Sequence, residues 1–513
     1  VDRYDVAVIG AGFGGLAAAL ACAEAGAKVV LLEQLRYPGG CASTFTRQGA
    51  RFESGATLFS GFAEGQLFHE WIERLALPVR FDAIDPVIEL RAPGFTLPIP
   101  RDHEAFVDRL VALPGVPEAP ARAFFGEQRA IADVLWSLFD DPALLPPLSW
   151  RAVVQHAARL PRYLPLARHV GRPLARVLRR HGVEACVPLR TYVDAVCQIT
   201  VQASSRDVEA PFALGAMDYA FRGTGHVHGG IGELAWALAR ATERRGGEVR
   251  FSDRVKAMSR GEDGWRIDAR HGAVKADRVI ANLTPHALRR VLGLDEGGHA
   301  RLDALARRVE TGWGAAMLYL VLEPGAELST TSAHHLELVQ DVAAPFLEGN
   351  HVLVSVSAAD EDRSDEGGRT VTVSTHVPME RLRREADAGA YVSRIQQRMR
   401  DTIAARAPEV WRAVRRELTA SPRTFERFTG RDHGYVGGIP RHAGLAQYFD
   451  LWPRPIAREL WLVGDSVFPG QSTLATALGG LRVAEAALPR GTRSPSVAAG
   501  QTAERAYLSP RGP

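Results

Sequence analysis

Short apolar runs punctuated by glycine open this chain and read as strand, turn, helix and strand. Val6, Ala7, Val8 and Ile9 are near-continuously apolar, the pattern of a strand covered on both faces. Gly10-Ala11-Gly12-Phe13-Gly14-Gly15 follows. The small-residue run Leu16 to Ala25 then has high helix propensity and no β-branched residue, and Gly26 is placed to cap it. Lys28 to Leu32 supply a second strand that ends at Glu33. Further along, Gln66 to Leu75 predicts a short helix, and Val87 to Leu90 and Thr96 to Ile99 alternate around Pro93-Gly94 as a hairpin does. Arg101 to Leu110 and Ala119 to Leu138 read as helices; the large apolar groups Leu135, Trp136, Leu138 and Phe139 near the end of the second are expected in a core. Gly229-Gly230 and Gly246-Gly247 bracket a helix from Ile231 to Arg244. Strands at Val249 to Phe251, Val255 to Met258, Trp265 to Ala269 and Ala276 to Asn282 come next, then helical composition from Arg289 to Val309. Ala315 to Leu322, His335 to Val339, Val352 to Ser357 and Val371 to His376 are separate β-like runs, expected to form an antiparallel sheet. Asp360 to Gly368, charged and glycine-rich, predicts an exposed loop, and Arg381 to Val410 is helical in composition. Leu460 to Gly464 is an apolar strand followed by Asp465, a turn and a helix starting near Thr473. The polar stretch from Gly491 to Pro513 predicts a disordered tail.

Chemistry enters with the first turn. Gly10, Gly12 and Gly15 stand in the spacing G-x-G-x-x-G: the first permits the turn, the second lets backbone approach a pyrophosphate, and the third lets the helix pack on the strand. Phe13 and Gly14 lie between them, where unpaired N–H groups at the helix start face phosphates. Glu33 stands at the distance expected of an acid that accepts ribose hydroxyls, with Gln34 beside it. A glycine turn alone could be purely structural; strand, helix and terminal acid in phase point to a bound dinucleotide. A second glycine pair, Gly39-Gly40, follows Pro38. The chain then runs through a polar, glycine-punctuated segment to Gly55-Ala56-Thr57, where a nicotinamide domain would continue into another crossover helix and strand.

Size and charge narrow the field. A chain of 513 residues, 46% hydrophobic and 24% charged, should hold two or three domains with substantial cores, and a net charge of +3 is too small at this length to imply nucleic acid. The four cysteines, Cys22, Cys41, Cys186 and Cys197, form no CxxC pair and no metal-ligand spacing. No signal peptide and no long uncharged apolar run are visible, so a spanning helix is not expected. One stretch departs from the average. From Leu148 to Gly182 there are eight arginines, among them Arg151, Arg159, Arg162, Arg168 and Arg176, and not one Asp or Glu. Apolar anchors such as Trp150, Leu160 and Leu164 lie between them, and Pro161, Pro165 and Pro173 are expected to divide the stretch into short helices. Such a segment suits an anionic lipid surface; a solvated basic face packed on its own domain is the competing reading. RNA is a third, without a nucleic-acid fold signature to support it. His226 and His228 sit two apart, but no Cys or carboxylate spacing supports a metal, so they read as loop or inter-domain histidines.

Taken together, the glycine turn, Pro38-Gly39-Gly40, Phe52 to Phe59, His228 to Val255 and the segment Gly464-Asp465-Ser466-Val467-Phe468-Pro469-Gly470-Gln471 resemble the phytoene desaturase and carotene isomerase family of FAD-dependent oxidoreductases. Amine oxidases usually carry Glu where Asp465 stands. The resemblance implies an α/β fold: a Rossmann-like FAD-binding domain of the glutathione-reductase and amine-oxidase type (1–80, 226–290 and 455–490), interrupted by a substrate and membrane-associating domain (81–225 and 291–454) with an antiparallel sheet and helices. It implies noncovalent FAD held by Gly10, Gly12, Phe13, Gly14, Gly15, Glu33, Gln34, Gly39 and Gly40 at the phosphates and ribose, and by Val255 at the adenine. Ala56, Thr57, Gly464, Asp465, Thr473 and Leu474 would stand at the ribityl and ring end. Thr57 is then a flavin neighbour rather than a demonstrated base, and no catalytic residue is assigned. Ser421 to Pro440 is most similar to the corresponding part of carotenoid 3,4-desaturases; Gly434, Gly437 and Gly438 there would let backbone pass close to another surface. The implied activity is hydride removal from an acyclic or hydroxylated carotenoid end to introduce a conjugated double bond, with an apolar polyene as substrate and a quinone or oxygen as electron acceptor. Carotene cis–trans isomerisation and amine oxidation are the alternatives, together with a non-catalytic flavin scaffold. The implied location is peripheral, on the cytoplasmic side of a membrane.

Overall fold

The computed structural model describes residues 1–488, so the predicted tail lies outside the described residues. Strand Asp2–Ile9 is central to a mixed sheet, paired in parallel with Val29–Leu32 on one side and Gly272–Ala281 on the other. Glu248–Arg250 extends it beyond Val29–Leu32, and Leu460–Leu462 pairs with Gly272–Ala281, both in parallel. The near-continuous apolar run is thereby explained. Val6 and Val8 face the helices Phe13–Glu24, Ile231–Arg244 and Thr473–Ala487, whereas Ala7 and Ile9 lie on the opposite face in a cluster with Leu288, Leu302 and Leu305; the antiparallel strands Val255–Gly261 and Gly264–Ala269 extend the same sheet beyond Gly272–Ala281. Helices Phe13–Glu24 and Thr473–Ala487 cross with almost no space between them: a Cβ on Gly480 would lie 2.0 Å from the Gly14 carbonyl oxygen. The last helix is thus docked against the first turn.

A second sheet has the order Val414–Ala420, Trp313–Leu322, Thr370–Pro378, His351–Val356, His334–Val339, Ile88–Ala92, Phe95–Ile99. The four expected β-runs lie side by side in it as antiparallel neighbours. The predicted hairpin joins the same sheet through the pairing of Ile88–Ala92 with His334–Val339, which is parallel. One face packs on helix Ala388–Arg406 through Leu318, Leu338, Val354 and Val373. The other face looks toward a helical layer, Glu118–Asp140, Val187–Thr200 and Ala210–Ala216, across a cavity.

Three expectations are corrected. Pro165 lies inside helix Leu160–Ala167 rather than dividing it; the helix is short and solvent-facing, so the carbonyl that loses its N–H partner can be hydrated. The helical stretch Arg289 to Val309 is two helices, Pro285–Val291 and Ala300–Val309, separated at Gly293 and restarted by the His299 cap. Asp360 to Gly368 is not simply exposed: Glu361 and Arg363 are buried, with Glu361 accepting from His226, from the Gly229 and Ala358 N–H groups, and from Arg363 at 2.7 Å. Charge marked solvent in the sequence, but here opposite charges from distant segments satisfy one another. As expected, Trp136 is in the core and Leu135, Leu138 and Phe139 pack against cores, and all four also line the cavity, with the Trp136 indole N–H donating to the Gly215 carbonyl at 2.9 Å.

Candidate functional site

The site is assembled on the glycine turn. Gly12 pairs with Gly39 in an isolated parallel bridge, and the Gly39 N–H donates to the Ala11 carbonyl at 2.8 Å, so the two glycine motifs form one cradle. A Cβ on Gly15 would lie 1.9 Å from the Gly10 carbonyl oxygen, which is why only glycine lets helix and strand meet here. Glu33 is buried; its Oε2 accepts the Ala11 N–H at 2.6 Å and its Oε1 the Leu35 N–H at 2.7 Å. Burial pushes its carboxyl up, and those backbone donors act against that shift. Lone pairs remain for hydroxyl donors.

From this cradle one cavity of about 830 Å³ runs between the second sheet and the helical layer, near the upper end of small-molecule sites. Gly10, Gly12, Phe13, Gly14, Glu33, Gln34, Gly39, Gly40, Ala56, Thr57, Val255, Gly464, Asp465 and Thr473 line it. Gly15 lies behind the turn, and the Leu474 side chain turns into the core, where a Cβ on Gly61 would meet it at 3.0 Å. Phe52 and Phe59 are buried in cores while Gly55 to Leu58 reach the cavity. Thr57 accepts a hydrogen bond from Ser355 Oγ at 2.6 Å, and Ser355 is bonded to His335 Nδ1 at 2.8 Å. Of the four glycines in the Ser421 to Pro440 segment, Gly430 and Gly437 border the cavity. Gly438 gives close passage to Asp465, whose carbonyl oxygen a Cβ would meet at 2.2 Å, and Gly434 to Pro422 at 1.9 Å.

Residues that sequence reasoning passed over complete the cradle. Asn282 ends strand Gly272–Ala281, takes the Ile9 carbonyl with its N–H at 2.8 Å and fills the space beside Gly10, Gly12 and Gly14. Its position just after the return strand was a usable signal. Arg431 lies in the cavity wall, donating to Asp465 Oδ2 at 2.5 Å and to the Tyr435 carbonyl at 2.6 Å; no local motif marks it. Burial pushes the Cys41 thiol up, against the nearby Arg431 charge.

The arrangement fits FAD. Helix Thr473–Ala487 points its N-terminus, capped by Ser472, into the cavity, and Thr473 Oγ1 and Gln471 Nε2 are buried there without a partner among the described residues. Such groups suit the polar edge of a ring system on which negative charge grows. Arg254 adds positive charge to the wall, and Arg290 lines it while paired with Asp432. His226 belongs instead to the Glu361–Arg363 cluster, and His228 lies 3.4 Å from Asp82. No group of three His, Cys, Asp or Glu among the described residues could hold a metal.

The basic stretch forms helices Trp150–Ala158, Leu160–Ala167 and Ala175–Arg180. Tertiary contacts supply the acids it lacks. Arg168 and Arg180, with His169 and His181, converge on Glu127, Arg159 pairs with Asp141, and Arg179 with Glu184. Trp150 and Leu164 are 73% and 69% exposed, and Val153, Val154 and Leu160 also face solvent. Gly171 abuts Leu445, which with Phe449 and Trp452 forms a further exposed apolar group. No described helix is long and apolar enough to cross a membrane.

Residues 8–75 match the model of the NAD(P)-binding Rossmann-like domain. The chain is 28% identical to hydroxyneurosporene desaturase of Cereibacter sphaeroides, over 94% of this chain and 97% of that protein. It is 23% identical to prolycopene isomerase 1 of an Oncidium hybrid cultivar, over 94% of this chain and 83% of the relative. The solved structure of putrescine oxidase bound to putrescine shares the fold, with a TM-score of 0.62 at 16% identity, covering 94% of this chain and 98% of that one.

Proposed function

We propose that this chain, a member of the FAD-dependent carotenoid desaturase and isomerase family, introduces a conjugated double bond into an acyclic or hydroxylated carotenoid end, at the 3,4 bond. The observation that carries the reading is the single cavity that joins the dinucleotide cradle to walls of Leu135, Phe139, Leu145, Val196 and Met317. Most binding then comes from apolar burial, at about 25 cal/mol per Å². Bound FAD supplies the hydride acceptor. The protein's own part is to place one saturated C–C bond beside the Thr57 end of the cavity, exclude water, and present the Thr473 helix N-terminus and Arg431 where negative charge develops. A quinone or oxygen is the terminal electron acceptor in this reading.

Delivery from lipid completes it. Leu145 lines the cavity a few residues before the exposed Trp150 helix, so the apolar anchors and the cavity share one neighbourhood. Peripheral attachment on the cytoplasmic side of a membrane through Trp150, Leu160, Leu164 and arginines such as Arg151 and Arg162, which pair with no acid among the described residues, would feed the substrate directly.

Carotene cis–trans isomerisation is the second reading, favoured by similarity to the prolycopene isomerases over 94% of this chain. One experiment separates the two: FAD-loaded protein is incubated anaerobically with carotenoids in liposomes and a quinone, following absorption and mass. Loss of two hydrogens with a red-shifted spectrum is the expected result. Altered retention at constant mass would replace desaturation by isomerisation, and amine oxidation without carotenoid turnover would defeat both.

A further inference from the structure

Strand register places a polar spot on the cavity wall. Glu337 pairs with Leu353 and Leu353 with Ser374, so these side chains share one face. His351, two residues from Leu353, and His376, two from Ser374, lie on that face as well, and all five line the cavity. Around them the wall is mainly hydrocarbon, Ile88, Ile99, Ala315 and Met317, with Tyr192 nearby, its hydroxyl committed to the Met217 carbonyl at 3.1 Å.

Glu337 Oε2 and His351 Nε2 stand 4.0 Å apart, beyond hydrogen-bond reach. Neither Glu337 oxygen nor His351 Nε2 has a hydrogen-bond partner among the described residues, and the two residues are 0% and 3% exposed. Burial pushes the Glu337 carboxyl up to about 8, while burial and the adjacent His376 push the His351 imidazole down to about 3. At neutral pH the pair is therefore a carboxylic acid beside a neutral imidazole, not an ion pair. His376, pushed down by burial to about 4, is neutral too.

Unpaired buried polar atoms are costly, and an apolar chain would leave them so. The two atoms are enclosed at 4.0 Å, and a turn of the Glu337 carboxyl would let one oxygen atom sit about 2.8 Å from both Glu337 Oε2 and His351 Nε2. An alcohol, donor and acceptor at once, satisfies either tautomer of His351; a hydrocarbon satisfies none. We infer that Glu337 and His351 form a binding subsite for a neutral hydroxyl group on the substrate, which makes them specificity-determining residues for polyene alcohols over hydrocarbons. This inference rests on the polyene reading above.

The test titrates FAD-loaded enzyme in liposomes with two probes: an acyclic carotenoid bearing a terminal tertiary hydroxyl, and the same molecule with hydrogen at that carbon. Binding is read from the shift of the polyene absorption, and kcat/KM from product formation. Wild type should prefer the alcohol by about 10- to 100-fold. Glu337→Leu should bring the two probes near parity while hydrocarbon binding persists, and Glu337→Gln, still able to hydrogen-bond, should restore part of the preference. Flavin content reports folding; should Glu337→Leu lose its flavin, His351→Leu carries the same comparison. Parity on wild type, or equal loss of both probes in a flavin-retaining Glu337→Leu, would overturn the subsite while leaving the polyene reading standing. Failure of wild type to bind either probe would remove the polyene reading and the subsite with it.

Discussion

Arg431 donates to Asp465 Oδ2 at 2.5 Å in the cavity wall, which joins the segment after helix Pro422–Thr429 to the turn after strand Leu460–Leu462. Asp465 is thereby aimed, with Ser466 bonded to its other oxygen at 3.3 Å. Arg431→Met should leave that carboxylate unpaired and misdirected. Hydrogen bonds to charged groups are worth about 1.5–3 kcal/mol, so FAD should bind roughly 10- to 100-fold more weakly. Equilibrium dialysis of flavin against the variant measures this; unchanged retention would detach Arg431 from cofactor binding.

Gly12→Val should yield folded protein without flavin. Its Cβ would lie 2.6 Å from Asn282 Nδ2, and the remaining side chain would enter the cradle between Gly12 and Gly39. The absorbance ratio of flavin to protein after purification decides it, with circular dichroism as the check on folding.

Glu337 gives stability a pH dependence of known sign. Its folded carboxyl lies near 8 against an ordinary 4.5, so the folded state keeps a proton that the unfolded chain releases. Stability therefore falls as pH rises between those values, by at most about 1.4 kcal/mol per pH unit. Glu337→Gln removes this slope. The Tm of the variant minus that of wild type should grow from about pH 5 to about pH 8 and level off above.

Membrane attachment should depend on the exposed anchors more than on total charge. Arg168, Arg179 and Arg180 are engaged with Glu127 and Glu184, so their replacement would disturb the fold as well as the surface. Replacing Trp150, Leu160 and Leu164 by Ser should cut sedimentation with anionic liposomes severalfold at unchanged flavin content. Arg151→Gln with Arg162→Gln should weaken capture chiefly at low salt. Undiminished sedimentation of the Ser variant would defeat the attachment proposal.

Arg363→Met should be strongly destabilising. Arg363 is buried, 2.7 Å from Glu361 and 3.7 Å from Glu53, and Glu361 also holds His226 and the Gly229 N–H. Burial opposes the Glu361 charge, but His226 and Arg363 hold the carboxyl well below the usual range. Removing one partner of such a cluster costs about 3–5 kcal/mol, to be read from chemical denaturation. An unchanged midpoint would show that the cluster is dispensable.

Local pattern alone was enough for the elements whose physics is local. The run Val6 to Ile9, the turn Gly10 to Gly15 and the alternation around Pro93-Gly94 each carry their own conformational cause, and the strands and helices stand there. The acid at Glu33 and the aspartate at Asp465 were legible because each follows a strand end at a fixed offset. What tertiary structure decided is which distant groups meet. It gave the acid-free basic stretch its acids through Glu127, buried Glu361 and Arg363 of the charged Asp360 to Gly368 loop beside His226, and turned the apolar end of helix Glu118–Asp140 into a cavity wall. It also set Glu337 diagonal to His351, a relation fixed by register between strands and by nothing in either strand alone. Backbone propensity and side-chain periodicity act over a few residues, whereas desolvation and pairing depend on what folding brings within a few ångströms, and that is where the chemistry of this cavity resides.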